Sequence, residues 1–205
     1  MAKRGSYAKS AARRDEILRQ ALAVIDAEGY GAASVARIAE VAGISKTGLL
    51  HHFGTKENLF TEVLRLRDEL DGSMFEHPNA ELADVESAYL RVVERNTRIP
   101  GLVELFTRLS IEATDPEHPA HEFFLRREKV IGDRIAATVD AALADDVRGN
   151  VDPSLVALIV MAATDGLQQR WLLDPNVDMA GALEALFRVF DTALGTGSAQ
   201  REDHE

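Results

Sequence analysis

The sequence predicts an all-α protein. Through most of its 205 positions, apolar residues recur at the three- and four-residue spacing of one helix face. No segment shows the alternation of apolar and polar residues, rich in valine, isoleucine, threonine and aromatics, that marks a half-buried strand. Breaks at glycine, proline and asparagine divide the chain into about nine predicted helices.

Apolar residues at helical spacing predict a first helix from about Ser10 to Glu28. Gly29 ends this helix, because glycine readily adopts the left-handed conformation found at helix C-termini. A fourth helix begins after Thr55, a candidate N-cap, and continues to Asp71-Gly72, with a predicted inward apolar stripe that runs from Leu59 to Leu70. Both helices are long enough to present an apolar face on which shorter elements can pack.

Two very short helices between them form a helix-turn-helix pattern. The first of the pair starts after Ser34, a candidate N-cap, and stops at Gly43 after about two turns. Ser45 is a candidate N-cap of the other, residues 46–52, whose short length and polar side chains suit a DNA major groove. The predicted inward face of the first of the pair consists of Val35, Ile38, Ala39 and Val41.

Five more helices are predicted at about residues 82–99, 101–113, 119–145, 153–173 and 178–194. Proline is tolerated in the first turn of a helix, and Pro119 and Pro153 stand at such starts. Residues 195–205 are polar and contain glycine, so we expect a disordered tail.

The net charge of −11 argues at first against a nucleic-acid partner, because phosphates repel carboxylates. The charge, however, is unevenly distributed along the chain. Residues 1–60 contain nine basic and six acidic side chains, a balance of +3, so the remainder carries −14. A basic head can face DNA while the acidic body is held away from it.

Composition excludes several kinds of site. The hydrophobic content of 46% is sufficient for a buried core. There is no cysteine, which rules out disulfides, thiolate metal ligands and a cysteine nucleophile. The sequence contains neither a run of roughly 20 apolar residues that could span a bilayer nor the apolar stretch of a signal peptide. We therefore expect a cytoplasmic protein.

The segment GISKTGLLHHFGTKENLF, residues 43–60, resembles the recognition-helix region of the tetracycline-repressor (TetR) family. The resemblance covers roughly residues 12–60, and the predicted helix count is similar to the family plan. It implies a DNA-binding head, residues 1–54, and a body, residues 55–194, for dimerisation and effector binding. A homodimer would place its two heads in successive major grooves of a palindromic DNA operator.

The resemblance therefore implies a transcriptional regulator released from DNA by a small-molecule effector, with repression as the leading interpretation. Activation of transcription, or DNA binding without an effector, are the alternatives. The sequence does not identify the effector, and we expect no cofactor.

The resemblance also assigns DNA contacts residue by residue. Leu49 and Phe53 match packing positions of the recognition helix, whereas Leu50 stands where the family usually has a phosphate-binding tyrosine. Leu50 could contact a thymine methyl instead, and Gly48 would permit close approach to DNA. The full predicted DNA-binding set is Arg13, Arg14, Ser34, Arg37, Ser45, Lys46, Thr47, Gly48, Leu50, His51, His52 and Lys56.

Two further sets of site residues are predicted in the body, one for an effector pocket and one for a dimer interface. For each set, packing in the protein core is the competing interpretation. The family plan implies an effector pocket, for which the predicted residues are Phe75, Leu102, Phe106, Phe124, Met161, Thr164 and Trp171. The last two helices are apolar on more than one side, which indicates pairing with a second chain. The predicted dimer-interface residues are Leu158, Ala162, Gly166, Gln169, Leu183, Leu186, Phe187 and Phe190.

A remoter alternative is a metal-dependent enzyme that uses His118, His121 and the neighbouring Asp115. Capping or solvated roles near a helix start explain the same histidines. The sequence lacks a P-loop, a nucleotide-binding glycine pattern, a serine elbow and an HExxH motif. We therefore predict no catalytic residue and no metal site.

Overall fold

The structure is a computed structural model that describes the backbone of residues 2–72 and 81–195 and the side chains of residues 10–70 and 81–195. Within these ranges it contains nine α-helices and no strand, which confirms the all-α class. The helices are α1 Ala2–Glu28, α2 Val35–Val41, α3 Lys46–Phe53, α4 Lys56–Gly72, α5 Leu82–Asn96, α6 Pro100–Glu112, α7 His121–Ala142, α8 Pro153–Leu173 and α9 Met179–Leu194. Among the described residues, no helix is both long and apolar enough to cross a membrane.

Three helices differ from the sequence prediction by more than one residue at one or both ends. α1 begins at Ala2, well before the predicted start near Ser10. α5 ends at Asn96 because Ile99 precedes Pro100, whose ring excludes the residue before it from the helical region. α7 spans residues 121–142 instead of 119–145, so proline precedes this helix and does not occupy its first turn.

Contacts divide the described chain into two compact units. Unit 1 consists of residues 2–72 and Asn96–Phe124, and unit 2 consists of residues 81–95 and 125–195. The boundary predicted at residue 54 separates a DNA-binding head from the body. The two contact units do not test DNA binding, so this boundary stays a prediction. Beyond Gly195, which caps α9 in the left-handed conformation, the predicted disordered tail lies outside the described residues.

The core of unit 1 is built on α1, which packs against α2, α4 and α6, while α3 packs against α2 and α4. All five of these helices contribute completely buried side chains, among them Ile17, Ile38, Leu49, Leu59 and Leu105. Burying each such side chain stabilises the fold by roughly 1.5–3 kcal/mol relative to leaving it exposed. The short helices α2 and α3 are therefore held mainly by their apolar faces.

Two apolar residues predicted to face inward are exposed. Val41 is 40% exposed and Leu70 is 55% exposed. Each stands at or near the last residue of its helix, beyond the part that packs on the core. The buried face of each helix therefore ends before the last apolar residue that was predicted to belong to it, Val41 in α2 and Leu70 in α4.

In unit 2, α8 and α9 pack against each other. Val156, Ala157 and Val160 of α8 and Leu183 of α9 are buried. The opposite side of α8 is apolar but exposed, and it carries Leu155, Leu158, Ile159 and Leu173. Unit 2 therefore presents an apolar helix surface that the described residues leave uncovered.

Gly101, the second residue of α6, lies against the C-terminal end of α1. A Cβ atom at this position would lie 2.6 Å from the Ile25 carbonyl oxygen, and 2.8 Å from both Gly29 Cα and Tyr30 N. These are backbone atoms, which cannot turn aside as a flexible side chain can. α6 therefore contacts α1 backbone to backbone, and only glycine fits at the contact.

Replacing Gly101 with alanine should destabilise unit 1, because the added methyl group requires α6 to separate from α1. Overpacking of this kind costs about 1–3 kcal/mol in the free energy of unfolding. Urea denaturation followed by circular dichroism measures the loss. Gly31→Ala is the matched control, since a Cβ there meets no atom within 4 Å. Equal stability of the two variants would contradict the backbone contact.

Candidate nucleic-acid interface

The turn between α2 and α3 is held by local hydrogen bonds. Ser34 Oγ accepts a hydrogen bond from Arg37 N at 3.1 Å, and Ser45 Oγ accepts one from Gly48 N at 3.0 Å. Gly43 has a φ of +63°, the left-handed conformation that ends α2. These contacts confirm both predicted serine caps and the predicted glycine turn.

A second tight turn joins α3 to α4. Gly54 has a φ of +79°, and its N–H donates to the Leu50 carbonyl at 2.7 Å. Thr55 Oγ1 then accepts a hydrogen bond from Asn58 N at 3.1 Å, which confirms the predicted cap of α4. Because only two residues separate α3 from α4, this turn restricts the orientation of α3.

The two sides of α3 differ sharply in exposure. Leu49 is completely buried and Phe53 is 5% exposed, as their packing positions predict. Lys46, Thr47 and His51 are exposed on the other side. These three side chains, with the exposed Ser45, form what we call the α3 face, and most of its hydrogen-bonding groups are available to a partner.

Three predicted contact residues of α3 are only half-buried. Leu50 packs partly against the core of unit 1, and His52 lies beside Phe53 with ring centroids 6.4 Å apart. A Cβ on Gly48 would lie 3.2 Å from Ser45 Oγ, a tight contact with a side chain and not with backbone. Protein packing therefore permits glycine at position 48 without demanding it.

Two arginines of α1 bind the C-terminal ends of the short helices. Arg13 Nη2 donates to the carbonyl of Ala42, the C-cap of α2, at 2.6 Å. Arg14 Nη1 donates to the carbonyl of His52 in the last turn of α3, also at 2.6 Å, and its guanidinium lies 4.5 Å from the centroid of the Phe53 ring. A cation at a helix C-terminus also interacts favourably with the negative end of the helix dipole. The contacts found for Arg13 and Arg14 thus fasten α2 and α3 to α1, and their predicted DNA contacts stay predictions.

Arg37 forms surface ion pairs on the outer side of α2. Its Nη2 lies 2.6 Å from Glu28 Oε1, and its Nη1 lies 3.0 Å from Glu40 Oε2. The hydrogen bond from Arg37 lowers the pKa of Glu28, and the same contacts raise the pKa of Arg37. Exposed pairs of this kind exchange partners easily, so Arg37 can still reach a phosphate.

Lys56 and Ser34 occupy the exposed starts of α4 and α2. The Lys56 ammonium lies 5.3 Å from the centroid of the Phe60 ring and 5.8 Å from that of Tyr30. These rings hold the ammonium near the N-terminus of α4 without neutralising its charge. Positive charge at a helix N-terminus attracts anions, and Lys56 is suited to a phosphate.

The histidines do not form a metal site in the part of the chain that the structure describes. His51 and His52 have ring centroids 6.3 Å apart in an edge-on arrangement. His118 Nδ1 accepts a hydrogen bond from Ala120 N, and His121 Nδ1 bonds the Ala113 carbonyl at 2.8 Å. The alternative that we gave for His118 and His121, capping near a helix start, matches these contacts.

A cavity in unit 2 is a second candidate site. It contains about 430 Å³ of empty space including its open mouth, and only a small inner part is enclosed. Its walls come from α5, α7, α8 and α9 and are almost entirely apolar, with Val85, Ile135, Val160 and Phe187 among them. Glu86 and Tyr89 are the polar side chains among the residues that line it. We refer to this space as the unit 2 cavity.

The predicted effector-pocket residues lie elsewhere. Leu102, Phe106 and Phe124 belong to the hydrophobic core of unit 1, with the two phenylalanine rings 5.3 Å apart. Met161, Thr164 and Trp171 lie on α8 in unit 2 but do not line the unit 2 cavity. Thr164 touches a wall residue, since its hydroxyl bonds the Tyr89 hydroxyl at 3.0 Å. Phe75 lies outside the described residues.

The predicted dimer-interface residues divide into two groups. Leu158, Ala162 and Gln169 are exposed on α8, with Gly166 half-buried on the same side. On α9, Leu186 is half-buried, whereas three residues turn inward because they pack on unit 2 or line its cavity: Leu183, Phe187 and Phe190. The exposed apolar residues of α9 are Ala182, Ala185, Val189 and Ala193.

Glu86 and Tyr89 of the unit 2 cavity are absent from the site residues that the sequence predicts. A signal for both was present in α5, whose apolar positions run through Leu82, Val85 and Val93 at helical spacing. Glu86 falls four residues after Leu82, on the same helix face. A carboxyl group on an inward-facing stripe indicates a polar site inside the fold.

Comparison with known proteins places this geometry among bacterial regulators. The family model described as bacterial regulatory proteins, tetR family, matches residues 17–63, which include α2, α3 and parts of α1 and α4. The chain is 26% identical over 189 residues to the transcriptional regulator TcmR of Streptomyces glaucescens, an alignment that covers 88% of this chain and 80% of TcmR. It is 46% identical over 55 residues to the transcriptional repressor KstR2 of Mycolicibacterium smegmatis, which is 27% of each chain.

Solved structures show the same fold. A transcriptional regulator from Rhodococcus sp. RHA1 superposes with a TM-score of 0.69 at 18% identity, covering 88% of this chain and 96% of that one. A second regulator from Rhodococcus sp., of the TetR family, gives a TM-score of 0.68 at 22% identity. The similarity to these proteins extends through both units, and the relatives are regulators and not enzymes.

Replacing Arg14 with methionine should destabilise unit 1, because both the hydrogen bond to the α3 carbonyl and the contact of the guanidinium with the Phe53 ring are lost. We expect the free energy of unfolding to fall by about 1–2 kcal/mol, measured by urea denaturation. The slope of log DNA affinity against log salt should stay unchanged, since a capping residue releases no counterion. Arg19→Met is the control, an exposed arginine on the same helix. A slope smaller by about one, with unchanged stability, would instead place Arg14 on a phosphate.

Proposed function

We propose that this chain, which belongs to the TetR family of bacterial transcriptional regulators, is a homodimeric repressor that a small-molecule effector releases from a palindromic operator. The observation that carries the proposal is the two-sided α3: Leu49 and Phe53 are buried, while Lys46, Thr47 and His51 are exposed. A short helix with one apolar and one polar side can pack on its own protein and enter a major groove. The proposal requires no cofactor.

Within this proposal, different side chains have different tasks on DNA. Thr47 and His51 project from α3 and are suited to base edges, to which hydroxyl and imidazole groups can donate or accept. Lys46 at the start of α3 and Lys56 at the start of α4 are suited to phosphates, as is the capping residue Ser34. The uneven charge of the chain, +3 over residues 1–60 against −14 beyond, favours approach with this end first.

The exposed apolar side of α8 supports the homodimer. Five of the ten large hydrophobic side chains found exposed among the described residues lie on α8 and α9: Leu155, Leu158, Ile159, Leu173 and Val189. A symmetric pair of chains would cover this surface by forming a four-helix interface from two copies of α8 and α9. Leu183 and Phe187 are buried within unit 2, so we propose that α9 contributes Ala182, Ala185 and Val189 to the interface in their place.

An effector in unit 2 would regulate DNA binding by linkage. If the ligand binds best to a dimer whose two α3 helices no longer match the operator repeat of about 34 Å, it must weaken DNA binding by the same coupling factor. Relatives of this fold are known in complex with ligands as different as lauroyl-CoA, in a Thermus thermophilus repressor, and choline, in a Saccharomonospora viridis regulator. The unit 2 cavity is the space that we propose for the effector of this chain.

Activation of transcription, or an architectural role without an effector, would use the same α3 face. KstR2 and AcnR, to which the head is similar, are repressors. Repression is therefore the form that we propose. The position of the operator relative to the promoter distinguishes it from activation.

Replacing Thr47 with alanine should change which bases the protein prefers, because this side chain faces base edges. Replacing Lys46 should weaken binding to all sequences alike and reduce the salt slope by about one. Selection of palindromic duplexes from a random library, followed by fluorescence anisotropy at several salt concentrations, measures both effects. Lys129→Ala, an exposed lysine of α7 in unit 2, is the control. No preference of the full chain for any palindrome over random duplex at physiological salt would overturn DNA reading.

Replacing Leu158 with glutamate should convert the dimer to monomer, because each copy would bring a carboxylate into the apolar interface. Sedimentation velocity measures the mass, and operator affinity should fall with it. Val130→Glu is the matched control, since Val130 on α7 is 61% exposed and Leu158 is 60% exposed. A dimer that survives Leu158→Glu but not Val130→Glu would move the interface to α7.

A further inference from the structure

The polar groups of the unit 2 cavity are unequally satisfied. The Thr164 hydroxyl donates to the Val160 carbonyl at 2.8 Å, so its single proton is used. The hydroxyl of Tyr89, 3.0 Å away, must therefore donate to Thr164 Oγ1. In the part of the chain that the structure describes, we find neither a hydrogen-bond donor nor a basic side chain paired with the carboxyl group of Glu86.

The surroundings of Glu86 oppose its ionisation. Burial against apolar walls, and secondly the negative charge of Asp191 on α9, raise the pKa of Glu86 to about 7. Among the described residues that line the cavity, none provides a counter-charge: Tyr89 on α5 is uncharged, and the lining side chains of α7, α8 and α9 are apolar. Within this part of the chain, Glu86 is therefore an acid without a cationic partner at an apolar cavity.

We infer that the unit 2 cavity binds a small organic cation, with an ammonium group at Glu86 and a short apolar tail among the side chains of α5, α7, α8 and α9. The cation would supply the missing counter-charge. An anionic ligand would meet the carboxylate of Glu86 and be repelled. The role of this cation as the effector rests on the proposed function, but its binding does not.

The test compares three probes of equal chain length: hexylamine, 1-hexanol and hexanoate. Isothermal titration calorimetry of the full chain at pH 8 should show hexylamine binding at least about tenfold more tightly than hexanol, since only the amine is positively charged. Hexanoate should bind more weakly than hexanol. Glu86→Gln should reduce the amine to the affinity of the alcohol, whereas Glu122→Gln, which removes an exposed carboxylate elsewhere, should change neither.

A measurement on the unaltered protein keeps the test independent of any folding defect in the variant. With the pKa of Glu86 at about 7, its ionised fraction falls about tenfold between pH 8 and pH 6. Hexylamine is fully protonated at both pH values, so its affinity should fall about tenfold, while that of hexanol stays constant.

Four results would overturn the inference: equal affinities of amine and alcohol, tighter binding of hexanoate, amine binding that survives Glu86→Gln, or no binding of any probe. Operator affinity is measured separately with and without hexylamine. Binding of the amine at Glu86 without any effect on operator affinity would leave the cation site standing and refute its effector role. Failure of operator binding itself would refute the proposed function alone.

Discussion

Everything that α3 can do depends on how two helices too short to be stable alone are held in place. α2 has 7 residues and α3 has 8, whereas isolated helices shorter than about 12–15 residues are marginal in water. Leu49 and Phe53 supply burial, two serine caps supply order at the starts, and arginines of α1 bind carbonyls at the ends. The α3 face is consequently a property of all of unit 1, and it moves only if α1 and α4 move.

The contact at Gly101 extends this dependence to α6. At Gly101 the backbone of α6 lies so near the end of α1 that no Cβ fits between them. α6 therefore cannot move closer to α1 without displacing it, and α1 packs on α2 and α4. Surface ion pairs such as those of Arg37 contribute much less to this rigidity, because exposed charges remain hydrated and screened.

Local signals predicted a large part of the fold. The caps at Ser34, Ser45 and Thr55 and the left-handed Gly43 involve atoms only a few residues apart, so the chain nearby suffices to specify them. The two-sided α3 followed from the same periodicity. Helix ends were less predictable where a proline acts through its neighbour, as at Ile99, or where the chain continues as helix beyond its apolar stripe, as before Ser10.

By itself, the sequence thus determined the all-α class, the helix-turn-helix and the resemblance to the TetR family, because each is encoded in short spacings. Only the tertiary structure decided which side chains contact residues that are distant in the sequence. The hydrogen bonds of Arg13 and Arg14 join them to carbonyls 29 and 38 residues away, and only the folded chain brings those groups together. Phe187, a member of the predicted dimer-interface set, lines the unit 2 cavity, and the place of Glu86 at that cavity depends on walls contributed by four helices. Such contacts join residues distant in the chain, and no local pattern can specify them.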